Sequence, residues 1–347
     1  FHSQYIYTAI SEIDNYTRFI LVIPIYIMLR EISISEKNVI YILNISGLVL
    51  GPIALFFFLT NDSVRVRGFT STATIFANVS LLFSVLSILT LRYCEDTKIN
   101  PLLPYAASLS SFLAWGLTGS RSSLFLFLTL FLLALFVKDI RKSFKILFNK
   151  KSFFFLLIAS LIFFSSQSFQ RFGSVYENIR SYSINKHTHT WKSDNTVTPR
   201  LIIWDGSTNI IRENPLLGVG LNNYNKALEK QILNNKIPPI RKDLKNVTAG
   251  LNHAHNQYLD IFAKTGFIGF LILIIFIIVN ILFFLRYWFQ DKNNIFSYFG
   301  IITITSYSGY MINHVVLSHQ QSTLIMVLLL IFFSGLSSSY QNRKIKI

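Results

Sequence analysis

The sequence predicts an all-α polytopic integral membrane protein with about nine transmembrane helices and one large polar loop. Hydrophobic residues make up 52% of the 347 residues and charged residues only 14%, too little charge for the surface of a soluble protein of this size. The apolar residues also form runs long enough to cross a bilayer, which takes about 20 helical residues.

The clearest predicted span is Val39–Leu59, which carries no charge. One short apolar run would fit a buried helix of a soluble protein equally well, but eight or nine such runs in one chain argue against that alternative. The other predicted spans are Phe19–Leu29, Ile75–Leu91, Pro101–Leu117, Ser122–Val137, Ser152–Phe169, Gly266–Leu285, Ile295–Ile312 and Ser322–Leu336.

Three basic segments orient the predicted spans, because short loops rich in Lys and Arg stay in the cytoplasm. They are Lys138–Lys151, Arg286–Asn294 and the tail from Arg343. Alternate threading of nine spans places all three in the cytoplasm and the long loop outside. Phe1 then also lies outside, so we expect an odd number of further spans before it. The single cysteine, Cys94, falls in a predicted cytoplasmic loop, which suits a reduced thiol.

The chain divides into three predicted parts: N-terminal transmembrane helices at 1–168, a large periplasmic loop at 169–255, and C-terminal transmembrane helices with a cytoplasmic tail at 256–347. The loop carries twelve Lys and Arg and six Asp and Glu. This excess favours an anionic partner on the outer face, and a merely solvated basic surface is the alternative.

Short helices are predicted inside the loop. Pro199–Glu213 has helical apolar spacing and ends at an Asn-Pro pair, since the residue before proline avoids the helical region. Gly218 and Gly220 predict a turn, and Asn222–Leu233 predicts a second helix.

The centres of the predicted spans are uncharged, whereas a transporter normally buries ionisable residues there. Asp260 and Lys264, in the first turns of the helix that leaves the loop, are the exceptions. The polar candidates instead collect at the outer ends of helices and in the loop, as expected for an enzyme that acts on a lipid headgroup. They are Arg65, Arg67, Arg121, Arg200 and His255.

One segment, His253–Gly269, resembles the signature of the O-antigen ligase and polymerase superfamily. That signature is a histidine, a small amide or hydroxyl residue, nine residues, and then Gly-x-x-Gly. His255, Asn256, Gly266 and Gly269 fill these positions without a gap.

Two further segments resemble the same family. Thr118-Gly-Ser-Arg-Ser-Ser-Leu124 is similar to its outer-face arginine at the start of a span. Pro199-Arg-Leu-Ile-Ile-Trp204, followed by Asn214-Pro-Leu-Leu-Gly-Val-Gly220, is similar to the arginine helix and turn of its periplasmic loop.

The resemblance implies transfer of a glycan from an undecaprenyl-diphosphate carrier to an acceptor hydroxyl, without a nucleotide or a metal cofactor. Arginine has a permanent charge and a planar set of donors that suits phosphate oxygens. We therefore expect Arg121 and Arg200 to bind the diphosphate. The alternative for either residue is a side chain that reaches the headgroups from a helix end.

His255 is the candidate general base, because a neutral imidazole can accept the proton of an attacking hydroxyl. Its position at a helix N-terminus disfavours the protonated form, and an interfacial histidine without chemistry is the alternative. Gly266 and Gly269 are expected to allow close packing against a neighbouring span.

Other polar residues are weaker candidates. Asp205 and Glu213 are alternative bases or, on the simpler interpretation, solvated helix charges. His314 and His319 lie near the outer ends of the last two spans and border the predicted site without an assigned role. The secondary site candidates are Arg65, Arg67, His253 and Asn256. Two His-x-His pairs suggest zinc but lack helical ligand spacing and acidic or cysteine partners, so no metal site is predicted; they are His187, His189, His253 and His255.

The leading interpretation is an O-antigen ligase of the bacterial inner membrane that joins glycan to lipid A–core oligosaccharide at the periplasmic face. An O-antigen polymerase, with a carrier-linked acceptor, is the nearest alternative, and protein O-oligosaccharyltransferases share the histidine region. A glycolipid flippase is the alternative from another class. The expected partners are the lipid-linked donor, the acceptor and membrane lipids, with no nucleic acid.

Overall fold

The computed structural model describes residues 19–20, 22–60, 65–126, 129–130, 158, 161, 163, 173–185, 197–240 and 252–346. The chain divides into two compact units. We call Arg171–Ile278 with Met311–Gln320 the loop unit, and Phe19–Gln170 with Val279–Tyr310 and Gln321–Ile347 the span unit. In the described ranges the regular structure is helical and contains no β-strand.

The α-helices are numbered here in chain order. They are α1 (Val22–Glu31), α2 (Glu36–Thr60), α3 (Ala73–Leu89), α4 (Cys94–Thr97), α5 (Leu102–Thr118), α6 (Gly173–Asn185), α7 (Thr198–Glu213), α8 (Tyr224–Leu233), α9 (Gln257–Gln290), α10 (Ile295–Tyr310) and α11 (Gln320–Lys346).

Four helical segments are long and apolar enough to cross a membrane: Glu36–Thr60, Ala73–Thr97, Gln257–Gln290 and Gln320–Lys344. They coincide with four predicted spans and support the all-α membrane class. Helices α1, α5 and α10 fall on three further predicted spans but have only 10, 17 and 16 residues. The remaining two predicted spans, Ser122–Val137 and Ser152–Phe169, lie largely outside the described residues, so the total of nine stays a prediction.

Small and hydroxyl residues hold α2, α3 and α5 together in the span unit. Ser111 Oγ donates to the Gly47 carbonyl over 2.8 Å, and the Ser84 and Ser108 hydroxyls lie 3.0 Å apart. Asn44 Nδ2 donates to Thr90 Oγ1 over 3.0 Å. Such contacts suit apolar helices in lipid, where close backbone approach and interhelical hydrogen bonds replace the hydrophobic effect.

The loop unit has its own apolar core between α7 and α8. Ile202, Ile203 and Ile210 of α7 pack in one buried cluster with Tyr224 and Leu228 of α8. The helices form because each presents apolar residues at helical spacing on one face. Both helices predicted within the loop are confirmed, with α7 ending at Glu213 as predicted and α8 beginning two residues later than predicted.

Two acidic residues of α7 take part in structural contacts. Asp205 Oδ2 accepts from the Tyr182 hydroxyl over 2.8 Å, and Glu213 accepts from Gln231 over 3.0 Å and pairs with Lys236. The Lys236 hydrogen bond lowers the pKa of Glu213. These contacts tie α7 to α6 and α8.

Candidate active site

The residue after the motif histidine caps α9. Asn256 Oδ1 accepts the backbone N–H of Leu259 over 3.1 Å, three residues into the helix, which is the usual geometry of an asparagine N-cap. The small amide or hydroxyl residue of the motif therefore has a structural role here, because it caps the helix that begins directly after the histidine segment. The Oδ1 atom of Asn256 serves the helix rather than pointing at a substrate.

His255 has a left-handed backbone, with φ of 52°. Residues other than glycine seldom adopt this conformation, and His, Asn and Asp adopt it more readily than branched residues do. The preceding residue is held on both sides. The Ala254 N–H donates to Asp260 Oδ1 over 2.8 Å, and the Ala254 carbonyl accepts from Trp204 Nε1 over 3.0 Å. The loop that presents His255 is therefore fixed by both α7 and α9.

Asp260 and Lys264, the charged exceptions in the sequence, form a buried ion pair. Lys264 Nζ lies 3.0 Å from Asp260 Oδ2, and the two side chains are 4% and 2% exposed. The ammonium also lies 5.6 Å from the centre of the Tyr224 ring, and the Tyr224 hydroxyl is 2.6 Å from Ser207 Oγ. One oxygen of Asp260 thus binds the histidine loop while the other binds Lys264, which contacts α8.

Helix α9 is broken at Gly266, where φ is 68° and ψ is −165°. A Cβ atom there would overlap the backbone of Leu216 and Leu217. The expected packing of Gly266 against a neighbouring span is therefore wrong, since the partner is the turn that follows α7. At Gly269 a Cβ atom would first meet the side chain of Thr265, in the preceding turn of the same helix.

The break exposes two helix carbonyls, and the turn supplies their donors. Val219 N–H donates to the Ala263 carbonyl over 2.9 Å, and Gly220 N–H donates to the Lys264 carbonyl over 2.8 Å. In return, Phe267 N–H donates to the Pro215 carbonyl over 2.8 Å. Gly218 and Gly220 have φ of 65° and 89°, as the predicted turn requires. The two glycine motifs are therefore the two halves of one backbone junction.

Four histidines form a chain of ring contacts in the loop unit. The ring centroids of His253 and His255 are 4.4 Å apart, and those of His253 and His319 are 5.7 Å apart. The His319 ring stacks on His314 at 4.8 Å. We call these four residues the histidine cluster.

Gln257 connects the second pair of histidines to α9. Its backbone N–H donates to the Met311 carbonyl over 2.8 Å, and its side-chain Oε1 accepts the N–H of Leu317 over 2.8 Å. The sequence interpretation missed Gln257 and left His314 and His319 without a role. No signal in a single sequence pairs residue 257 with residues 311 and 317.

Burial keeps the cluster neutral. It lowers the pKa of His255 to about 3, and charge repulsion from His253 and His319 in their protonated forms and from the permanent cation Arg200 lowers it in the same direction. Burial and Lys264 lower the pKa of His253 to about 4, and burial also lowers the pKa of His314 and His319. Arg200, the predicted phosphate ligand of the loop, is thus one of the charges that act on the candidate base.

The other predicted arginines belong to the span unit. Arg65 Nε donates to the Thr118 carbonyl at the end of α5 over 3.0 Å. Arg121 follows the left-handed Gly119 that ends α5, and its carbonyl accepts the N–H of Leu124 over 3.1 Å. Arg67 accepts a hydrogen bond from the Thr70 hydroxyl through its carbonyl over 2.8 Å. Arg65 and Arg121 thus flank the same helix end.

The described ranges contain no group of three or more His, Cys, Asp or Glu residues arranged to hold a metal ion. His187 and His189 of the first His-x-His pair lie outside the described residues.

Long apolar helices, one of which begins at a cluster of histidines beside an arginine, define a helical membrane protein with a polar site at the end of a predicted span. The family model described as O-antigen ligase matches residues 106–274. This match supports the O-antigen ligase and polymerase superfamily for that part of the chain, and it confirms the resemblance in the motifs. The match includes Arg121, Arg200 and His255 but excludes the segment of His314 and His319.

A protein of Haemophilus influenzae (strain ATCC 51907 / DSM 11121 / KW20 / Rd), described as an uncharacterized protein, is similar to nearly the whole chain. It is 25% identical over 332 residues, which cover 91% of this chain and 77% of that protein. The similarity therefore extends beyond the family segment to both sides of it.

Proposed function

We propose that this protein transfers a glycan from undecaprenyl diphosphate to lipid A–core oligosaccharide at the periplasmic face of the bacterial inner membrane. The family match supports a glycosyltransferase-like role in an O-antigen pathway. The observation that carries the proposal is the arrangement in the loop unit, where a fixed loop presents a neutral histidine close to the charge of Arg200.

The reaction needs a base that accepts the acceptor proton and cations that bind the leaving diphosphate. The acceptor oxygen forms a bond to the anomeric carbon of the donor sugar while the bond from that carbon to the diphosphate oxygen breaks. The acceptor proton moves to His255, and undecaprenyl diphosphate leaves as an anion. Arg200 binds that anion and stabilises the charge that develops on it, and Arg121 stays a predicted second ligand of the diphosphate.

Charge explains how a histidine with a low pKa acts as a base. In the free protein, burial and the neighbouring cations hold the pKa of His255 at about 3, so the imidazole is neutral and ready to accept a proton. A bound diphosphate places negative charge in the same site and raises the pKa of His255. The donor thereby strengthens the base that activates its own acceptor.

The proposal is tested with purified protein, lipid-linked donor and core acceptor. Arg200→Ala removes a phosphate ligand, and we expect transfer to fall by about 10²-fold or more, the usual effect of losing one such donor. Arg212→Ala is the matched control, because Arg212 is an exposed arginine on the same helix. We expect His255→Ala to abolish transfer. Wild-type transfer by either site variant contradicts the mechanism, and a chelator in the same assay tests metal dependence.

An O-antigen polymerase uses the same donor, and the same base and phosphate ligands would serve it. Deletion in the native host, followed by glycolipid analysis, separates the two functions. Loss of a ligase leaves long glycan on undecaprenyl diphosphate and bare core. Loss of a polymerase leaves core capped with a single repeat, and glycolipid trapped on the cytoplasmic face indicates a flippase.

A further inference from the structure

An exposed apolar surface lies where the turn after α7 meets the break in α9. Leu216 and Leu217 at the tip of the turn are 66% and 73% exposed. The turn is closed by a hydrogen bond of 3.1 Å from Gly218 N–H to the Asn214 carbonyl, and the two leucine side chains project outward from it. A pair of leucines held in this way has a large apolar area without a partner in the chain's described residues.

The two leucines continue the apolar face of α9. The backbone of Leu216 and Leu217 lies against Gly266, and the helix beyond the break exposes residues at a spacing that keeps them on one side. The exposed residues of α9 nearest the break are Phe267, Ile268, Leu271 and Ile272, which are 48%, 53%, 44% and 63% exposed. We call these four residues with Leu216 and Leu217 the outer apolar surface.

The most apolar part of α9 identifies what covers this surface. An apolar stretch of 18 residues in this helix has no more than two charged residues, and only 17% of it is buried inside the protein. A helix that apolar and that exposed faces lipid rather than water. Backbone hydrogen bonds join the turn to the same helix. Its leucines therefore contact the same surroundings, the lipid, as the first residues after the break.

We propose that the Leu216–Leu217 turn inserts into the outer leaflet of the bilayer and anchors the loop unit to the membrane surface. Apolar side chains anchored in this way typically sit about 5–10 Å deep, at the boundary of headgroups and acyl chains. Gly266 allows this arrangement, since it redirects α9 and frees the carbonyls that bind the turn.

The anchor also sets the height of the candidate site. Nine residues of α9 separate Asn256 from Gly266, and at about 1.5 Å per residue they span roughly 14 Å. His255 is thereby held within about 15 Å of the turn, near the headgroups of the leaflet. This consequence rests on the proposed function, whereas the membrane contact itself does not.

The membrane contact is tested by fluorescence of the full chain in phosphatidylcholine vesicles. In a Cys94→Ser background, Leu217→Cys is labelled with an environment-sensitive nitrobenzoxadiazole probe. Leu233→Cys is the matched control, because Leu233 is a leucine of the same unit with 68% exposure. We expect the probe at 217 to be quenched by nitroxide-labelled lipid and protected from iodide, and the probe at 233 to show the reverse.

Three results overturn the proposal. Iodide quenching at 217 as strong as at 233, without lipid quenching, places the turn in water. Protection of 217 from both quenchers indicates a protein partner such as a second copy of the chain. Equal lipid quenching at both positions removes the special role of the turn. None of these measurements depends on glycan transfer, so they are independent of the proposed function.

Discussion

At the scale of single residues, two neighbours in one motif have different tasks. His255 is presented to chemistry by a left-handed backbone and a loop fixed through Ala254, while Asn256 caps the helix that follows. The two residues therefore have separate roles: position 255 carries the proposed proton acceptor, and position 256 carries the helix cap. Substitutions at the two positions should have different signatures, with lost transfer at 255 and a loosened helix start at 256.

The pH dependence of transfer is a prediction at this scale. The pKa of His255 in the free protein is about 3, lowered by burial and by the cations around it. The neutral, proton-accepting form is therefore present above that value and is lost only as the pH falls through it. We expect kcat/KM for transfer to keep its value from about pH 8 to about pH 5, without the decline near 6.5 of an ordinary histidine. An acidic limb centred near pH 6.5 contradicts the burial of His255 as described.

At the scale of elements, the helix α9 combines three functions along its length. Its first turns carry the cap and the Asp260–Lys264 pair, Gly266 interrupts it, and its remainder is apolar enough to cross a membrane. The interruption costs two helical hydrogen bonds, and the Asn214–Gly220 turn replaces them with its own donors. An interruption of this kind is stable only where other groups satisfy the freed carbonyls.

Gly266→Ala tests the junction between α9 and the turn. An alanine there needs an unfavourable left-handed φ and brings its Cβ into the backbone of Leu216, so the turn must move. We expect faster proteolysis in the turn and a strong loss of transfer. The control is Ile268→Ala, two residues after the break, because it shortens a side chain that is 53% exposed and adds no atom against the turn. Equal effects of the two variants would argue against the junction.

Asp260→Asn tests the buried ion pair. The change leaves the Lys264 ammonium buried without an anion, which typically costs about 3–5 kcal/mol of stability. We expect a large drop in the thermal unfolding temperature in detergent. Glu213→Gln is the matched control, since it breaks the exposed pair with Lys236, a contact worth less than about 1 kcal/mol. The double variant Asp260→Leu with Lys264→Met should recover part of the loss, because it removes both buried charges. No recovery would mean that the carboxylate matters chiefly through its hydrogen bond to Ala254.

At the scale of the whole molecule, the chain divides into two compact units whose segments alternate along the sequence. The loop unit gathers Arg200 and the histidine cluster, and the span unit holds Arg65 and Arg121 at the end of α5. The connection from α10 to α11 belongs to the loop unit although both its flanking helices belong largely to the span unit.

The predicted topology is tested by cysteine labelling in intact cells with a Cys94→Ser background. Asn234→Cys and Asn293→Cys place thiols at two exposed residues on either side of α9. We expect a membrane-impermeant maleimide to label position 234 from the periplasm, and position 293 only after the inner membrane is opened. Labelling of both positions from one side would contradict a single crossing by α9 and the orientation derived from the basic loops.

Local features of the chain account for what could be predicted from its sequence. The apolar runs at α2, α3, α9 and α11 needed only length and composition, and the end of α7 needed only the avoidance of helix before Pro215. The turn at Gly218 and Gly220 followed from the freedom of glycine to adopt positive φ. Each of these signals lies within one segment, so a single sequence contains it.

By itself, then, the sequence determined the membrane class, the helical elements of the loop and the motif that marks the superfamily. Only the tertiary structure decided which distant residues meet. It paired Gly266 with the Leu216 turn and brought His314 and His319 to His253 through Gln257. The physical reason is that helix periodicity and turn chemistry act between near neighbours, whereas such pairings depend on backbone groups left unsatisfied far along the chain.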